Sequence, residues 1–350
     1  MSLSRPATFP LLKLPWLCIK CVIQNSDEFI LVLFATISNR TRRIVLHSKH
    51  PLKEIDVYPS GCSKISIKDQ LGKRANDQTW YFLHNKNVDN DHFLLKINSQ
   101  PLLTSASFPT NMGSSYLHSY TTGGKLDALK LVMEFMIDVF GCTVRQVIVD
   151  GNKLSELFRL GISTVKELYI GNSEPVNITD LKFLLENIKV TDEYVFNAPI
   201  PANFSCDPQI FKCRKLYFGR RNSADWVTLE LLCQFDVPQL DFWHHRFSVE
   251  DIVSYITFWF NSENRTQEYA QFKFIKPVSL HHFNIDHLNP MPFCEKRRSR
   301  RSLHKSLEKT DLSSGMDILR KDGLLATLYA FPTSFLFHVW HKRFPNDVQQ

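Results

Sequence analysis

A short apolar phrase recurs through the middle of the chain and constrains the fold more than any other feature. It reads Val144-x-x-Val147-x-Val149, then Val165-x-x-Leu168-x-Ile170, Cys213-x-x-Leu216-x-Phe218 and Val237-x-x-Leu240-x-Phe242, with a looser copy at Tyr194-Val195-Phe196-Asn197. Counted from the first apolar position, copies begin at 144, 165, about 190, 213 and 237, a spacing of 21 to about 25 residues. The last three residues of each phrase alternate with period two. The two apolar positions therefore share one face of a strand, and the residue between them points to the other.

Helix-like segments lie between the phrases, at Lys153 to Leu160, Asp180 to Ile188, Trp226 to Phe235 and Val249 to Phe260. A strand and a helix recurring at roughly 20–29 residues is the pattern of a leucine-rich-repeat-like solenoid, in which units that cannot bury their own apolar face stack on their neighbours. The expected class is α/β, with an irregular parallel ladder of strand-plus-helix units. An ordinary α/β sheet of similar spacing is the alternative. The amphipathic helix Leu126 to Phe140 opens this region, expected over 126–345. Near its end, Met316 to Leu328 reads as two strands joined by a tight Lys321-Asp322-Gly323 turn, and aromatics such as Phe335, Phe337 and Trp340 follow. This segment is expected to cap the repeats.

Residues 8–50 read as three short helices. Pro15 fits a first helical turn, where its missing N–H costs nothing, and Leu14, Leu17, Cys18 and Cys21 then share a face expected to pack inward. Ser26 is the expected cap of a second helix, Phe29 to Ile37, and Ser38 that of a third. About 45 residues is a marginal size for independent folding, so this unit should lean on a partner or on the rest of the chain. Residues 51–125 read as a small β-rich linker region, with strands at 64–68, 79–83 and 92–97 and a long loop over 98–124.

Charge is concentrated in one place. The formal net charge is +7, and residues 294–309 hold seven Lys/Arg against two Glu, or +5 of it. That run reads as a solvated, partly disordered loop, with nuclear import or phosphate contact as its functional alternatives. The rest of the chain is nearly neutral, which argues against a nucleic-acid-binding face. The longest apolar stretch, Phe29 to Ile37, has nine residues, too few to span a membrane. The N-terminus lacks a secretory pattern, and the eight scattered cysteines fit reduced thiols, so a cytoplasmic or nuclear location is expected.

No catalytic, nucleotide or metal motif is present. Thr121-Thr122-Gly123-Gly124-Lys125 lacks the first glycine and the final hydroxyl residue of a phosphate loop. Cys18-x-x-Cys21 has no second pair at zinc spacing. The chain is therefore read as non-catalytic, without cofactor or metal. Within the repeats, Tyr169, Tyr217 and Asp241 occupy the position that points away from the apolar pair. With Arg220, Arg221 and Trp243 nearby, they are the candidate contacts for a bound protein, since large aromatics and arginines dominate binding hot spots.

Together the segments resemble a known family. Phe9-Pro10-Leu11-Leu12-Lys13-Leu14-Pro15-Trp16-Leu17, then Ile23 and Ser38-Asn39-Arg40-Thr41, resemble an F-box of the expanded nematode F-box family. The body from Leu126-x-x-Leu129 onward resembles that family's F-box-associated domain of the second type. Ile318-x-Arg320-Lys321-Asp322-Gly323-x-x-Ala326-Thr327 resembles its C-terminal signature. The resemblance implies a non-catalytic subunit of an SCF-type cullin–RING ubiquitin ligase. Pro10, Leu11, Leu14, Pro15, Leu17 and Ile23 would dock on a Skp-type adaptor, and the repeats would hold an as yet unidentified protein substrate. The rival expectations are an interaction protein without ligase activity and a nuclear, nucleic-acid-associated factor using the basic run.

Overall fold

The computed structural model describes residues 11–48, 50, 52–67, 78–84, 92–108, 114–171, 174–219, 222–302 and 310–341. Pro10, Arg220, Arg221 and Phe344 lie outside them. The chain divides into two compact units, Met1–Ile148 and Val149–Gln350. This division follows packing alone and places the segments expected at 8–50 and 51–125 in one unit, together with the helix that opens the third.

The first unit begins with three helices, α1 (Trp16–Gln24), α2 (Glu28–Ile37) and α3 (Asn39–Leu46). Ser38 caps α3 in a reciprocal box with Thr41. The cap of α2 is Asp27, whose carboxylate accepts from the Phe29 and Ile30 amides, while Ser26 turns back to donate to the Val22 carbonyl. The expected inner face of α1 is also corrected. Leu17, Cys18 and Cys21 are exposed, and Ile19 and Ile23 are buried at 4% and 1%. Apolar residues occupy both sides of α1, so their periodicity defines a face without choosing which one turns inward.

The strands of this unit are β1 (Glu54–Tyr58), β2 (Lys64–Ile67), β3 (Gln78–His84), β4 (Phe93–Ile97), β5 (Gln100–Ser107), β6 (Tyr116–Thr121) and β7 (Thr143–Asp150), with α4 (Lys125–Phe140) before the last. They run β7-β1-β2-β3-β6-β5-β4 across the sheet, and β1/β7 and β3/β6 are the parallel pairs. The expected loop over 98–124 therefore carries two strands. Two of its small hydroxyl residues are interior: Trp80 Nε1 donates to Ser119 Oγ at 2.9 Å, and Ser119 and Thr104 bond at 2.8 Å. Buried hydroxyls satisfied by one another leave no apolar alternation to detect.

The helices are fastened to this sheet by Gln78 on β3. Its side-chain carbonyl accepts from the Phe29 amide at 2.9 Å, and its amide donates to Asp27 at 2.8 Å and Glu28 at 2.6 Å. Phe29 meets Trp80 edge to face beside it. The small helical unit thus leans on its own chain.

In the second unit, helices and parallel strands alternate: α5 (Leu154–Leu160), β8 (Thr164–Gly171), α6 (Ile178–Asn187), β9 (Lys189–Phe196), β10 (Lys215–Phe218), α7 (Leu229–Gln234), β11 (Gln239–Phe242), α8 (Val249–Asn261) and β12 (Tyr269–Lys273). β8 to β12 pair in parallel, each with the next. The mixed α/β class expected from the sequence is what the chain adopts. The register aligns Ile170, Phe196, Phe218, Phe242 and Phe272 in one row. Neighbouring phenylalanines in that row stack with centroids 5.2, 4.8 and 5.4 Å apart. Where no α-helix links β9 to β10, Phe204, Phe211 and Trp226 fill the space, all buried.

The C-terminal strands β13 (Met291–Pro292), β14 (Met316–Leu319), β15 (Leu325–Phe331) and β16 (Ser334–Trp340) are antiparallel, and β16 pairs with β12. The turn joining β14 to β15 has Gly323 at φ 84°, a conformation that glycine adopts without strain. Arg320 grips Asp322 through two bonds of 2.9 and 2.8 Å beneath this turn.

The basic run is solvated only in part: Lys296, Arg300 and Arg301 are exposed, and Arg298 is not. Arg298 is fully buried, with Nε donating to Asp317 Oδ1 at 2.7 Å and a terminal nitrogen donating to the Leu312 carbonyl at 2.9 Å. Arg297 reaches the other Asp317 oxygen at 3.4 Å, and Arg300 pairs with Asp311 at 3.2 Å. Arg297 and Arg298 thus tie this stretch to β14. Lys305 and Lys309 lie outside the described residues.

Candidate binding surface

Side chains on the parallel strands alternate between a helix-covered face, which carries the phenylalanine row, and an open face. The open face is where the intermediate positions of the repeated phrases fall. Pairing sets Tyr169 beside Val195, Val195 beside Tyr217, Tyr217 beside Asp241 and Asp241 beside Gln271. Tyr169, Tyr217 and Asp241, singled out from the sequence, therefore lie in one row. Trp243 follows two positions beyond Asp241, 39% exposed, its ring 6.0 Å from that of Tyr217.

Two glycines shape this row. Tyr169-Ile170-Gly171 and Tyr217-Phe218-Gly219 place a glycine two residues after each tyrosine, on the same face. A Cβ at Gly171 would meet the Tyr169 ring at 2.7 Å, and one at Gly219 would clash with the Tyr217 ring and the Asn197 side chain. Each ring thus lies over its glycine. Asn197 sits between the two and donates to the Tyr169 hydroxyl at 2.5 Å. Asn197 closes the looser copy of the strand phrase and was not singled out as a site residue.

The charges on this face are matched. Lys215 lies 2.9 Å from Glu193 and 3.9 Å from Asp241. Lys273 stands over the Trp243 ring, 2.9 Å from its centroid. Asp241 is 8% exposed, and its Oδ1 is buried without a hydrogen-bond partner. Burial raises its carboxyl to about 6, with Lys215, Lys273 and the Trp243 indole acting in the other direction. Burial and the Asp241 charge together push the Tyr217 phenol up to about 12. The surface thus offers aromatic rings, hydrogen-bond groups and charges of both signs.

The candidate adaptor contacts lie in the other unit. Leu11 and Leu14 are half-buried, Pro15 is exposed and Leu17 is 73% exposed. Ile23 is corrected to a core position of its own unit. Trp16 at 45%, Val22 at 40%, Ile30 at 51% and Ile37 at 71% extend the exposed apolar area beyond the residues picked from the sequence. The signal for Ile30 and Ile37 was α2 itself, EFILVLFATI, which has too few polar residues to cover a solvent face.

Among the described residues no group of three or more His, Cys, Asp or Glu side chains is arranged to hold a metal ion, and no helix is long and apolar enough to cross a membrane.

The second unit thus presents an open, aromatic sheet face. Comparison with known proteins adds a partial match. Residues 207–272, from the approach to β10 through β12, match the family model described as F-box associated. An uncharacterized Caenorhabditis elegans protein is 29% identical over 130 residues, covering 35% of this chain and 30% of the relative. The chain thus matches less than a third of that relative's length. No solved structure matches.

Proposed function

We propose that the protein is the substrate-recognition subunit of an SCF-type cullin–RING ubiquitin ligase. The helices α1–α3 form its F-box and dock on a Skp-type adaptor. The strands β8–β12 form a short, irregular leucine-rich-repeat-like array that holds a protein target on its open face. The chain itself is non-catalytic: binding raises the target's effective concentration beside the ubiquitin-transfer machinery of other subunits. The setting is cytoplasmic or nuclear.

The observation that carries the reading is the outward apolar face of α1. Leu17, 73% exposed, lies on it with the exposed Cys18 and Cys21, Trp16 at 45% and Val22 at 40% stand at its margins, and Ile19 and Ile23 are buried on the opposite side. An exposed apolar patch of this kind on a helical element marks a partner site. The F-box-associated match in the second unit supplies the companion module.

The test is co-expression of the full chain with a Skp-type adaptor and a cullin. The expected result is a co-purifying complex that is lost in Leu17→Glu with Val22→Glu, while the variant keeps its thermal unfolding transition. A folded wild-type chain that recovers no adaptor overturns the reading.

A further inference from the structure

Beside the open face, the loops at the carboxyl ends of β10, β11 and β12 enclose a cavity of about 460 Å³. In parallel α/β sheets this end of the strands is where ligands bind. Phe247, Phe274 and Val278 make the apolar part of its lining, and the His245 ring lies among them with both nitrogens buried and without a hydrogen-bond partner among the described residues. That ring stands edge-on to Phe242, Phe272 and Phe274, and burial pulls its pKa down to about 4, so the floor is uncharged at neutral pH. The rim is cationic. Arg246, Lys273 and Lys276 lie on it with one carboxylate, Asp225, which Arg246 engages at 2.7 Å, and Asp241, outside the lining, acts on Lys273. Lys276 is exposed and makes no ion pair among the described residues.

We propose that this cavity takes an apolar side chain from an acidic peptide segment of the target, with the neighbouring carboxylates on the Lys273–Lys276 rim. Three observations choose this occupant. The rim has a surplus of positive charge, so an acidic chain is complementary. The floor has the size and apolar lining for a side chain. The cations do not converge as a cage for an isolated anion, because Arg246 is engaged by Asp225 and Lys273 lies over Trp243. Lys273 belongs to both the cavity and the aromatic band, so a chain leaving the cavity passes onto Trp243 and Tyr217. The inference deepens the receptor reading and rests on it for the target's role.

The experiment uses the full-length chain and fluorescence anisotropy. The probe is a short labelled peptide with one leucine between blocks of glutamate, compared with the same peptide carrying glutamine in place of glutamate. The glutamate peptide is expected to bind roughly tenfold more tightly and to weaken with added salt. Lys276→Glu is expected to cost roughly fivefold or more and Lys276→Gln less, both with unchanged thermal unfolding. Replacing the leucine by glycine is expected to abolish binding.

Equal binding of the two peptides, or indifference to Lys276→Glu, overturns the proposal. So does equally effective competition by a single-stranded oligonucleotide, which would mark a general polyanion patch. Adaptor binding is measured on the same preparation. Peptide capture without adaptor binding removes the ligase reading and keeps the cavity; adaptor binding without charge-selective capture removes the cavity alone.

Discussion

Arg298 and Asp317 form an ion pair in which neither side chain is exposed, the guanidinium Nε donating to Oδ1 at 2.7 Å. Thr327 donates to the same oxygen at 2.8 Å, and the Trp340 indole donates in turn to Thr327 at 2.8 Å. One arginine of the basic run thus joins β14, β15 and β16 through a chain of buried polar contacts. Arg298→Met would leave the Asp317 carboxylate with Thr327 and with Arg297 at 3.4 Å. Removing one partner of a buried pair costs about 3–5 kcal/mol. Urea denaturation should show that loss, with at least half recovered on adding Asp317→Asn. Arg300→Gln, which removes a largely exposed pair, should change stability by less than about 1 kcal/mol.

The phenylalanine row predicts where the second unit is most sensitive to truncation. Phe242 is fully buried between Phe218 and Phe272, with ring planes within 6° and 1° of theirs. Phe242→Ala should destabilise the unit by about 3–5 kcal/mol, the usual cost of deleting a core aromatic. Phe242→Leu should cost less than half of that. Equal losses for the two variants would show that the row is not packed as described.

Asp241 predicts a pH dependence. Its folded carboxyl, near 6, lies above the ordinary value of 3.8, so the folded state holds a proton that the unfolded state releases between those values. This stabilising contribution is complete below about pH 3.8 and is lost as pH rises through about 6. Asp241→Asn should therefore stabilise the chain at pH 7.5, by on the order of 3 kcal/mol at most, and have little effect near pH 4. Paired thermal melts at the two pH values check this. An equal effect at both would contradict the account.

The parallel strands were legible because an apolar strand buried on one side leaves a periodic trace. Five copies were visible. The sixth, Gln267-x-x-Ala270-x-Phe272, was hidden by a glutamine at the aliphatic position. Gln267 is 2% exposed and satisfied by Tyr255, the Pro238 carbonyl and the Tyr269 carbonyl, so hydrogen bonds replace apolar burial there. The same exchange hid β5 and β6, where Thr104 and Ser119 are interior. Arg298 was misread because runs of arginine are ordinarily solvated. The available signal was its counter-ion, an aspartate set between Met316 and Ile318 in an apolar strand. On the candidate surface, Tyr169, Tyr217, Asp241 and Trp243 could be placed from alternation alone. The cavity could not, because its walls come from three loops that only the stacking of β10, β11 and β12 brings together.

The central claim is that the outer face of α1 is an adaptor-binding surface, and amide hydrogen exchange with and without a Skp-type adaptor tests it most directly. The account predicts slowed exchange over α1 and the adjoining exposed ends of α2, centred on Leu17 and Val22 and absent in Leu17→Glu, with β8 to β12 unchanged. Unchanged exchange across residues 11–46 at saturating adaptor, in a chain that remains folded, would contradict it.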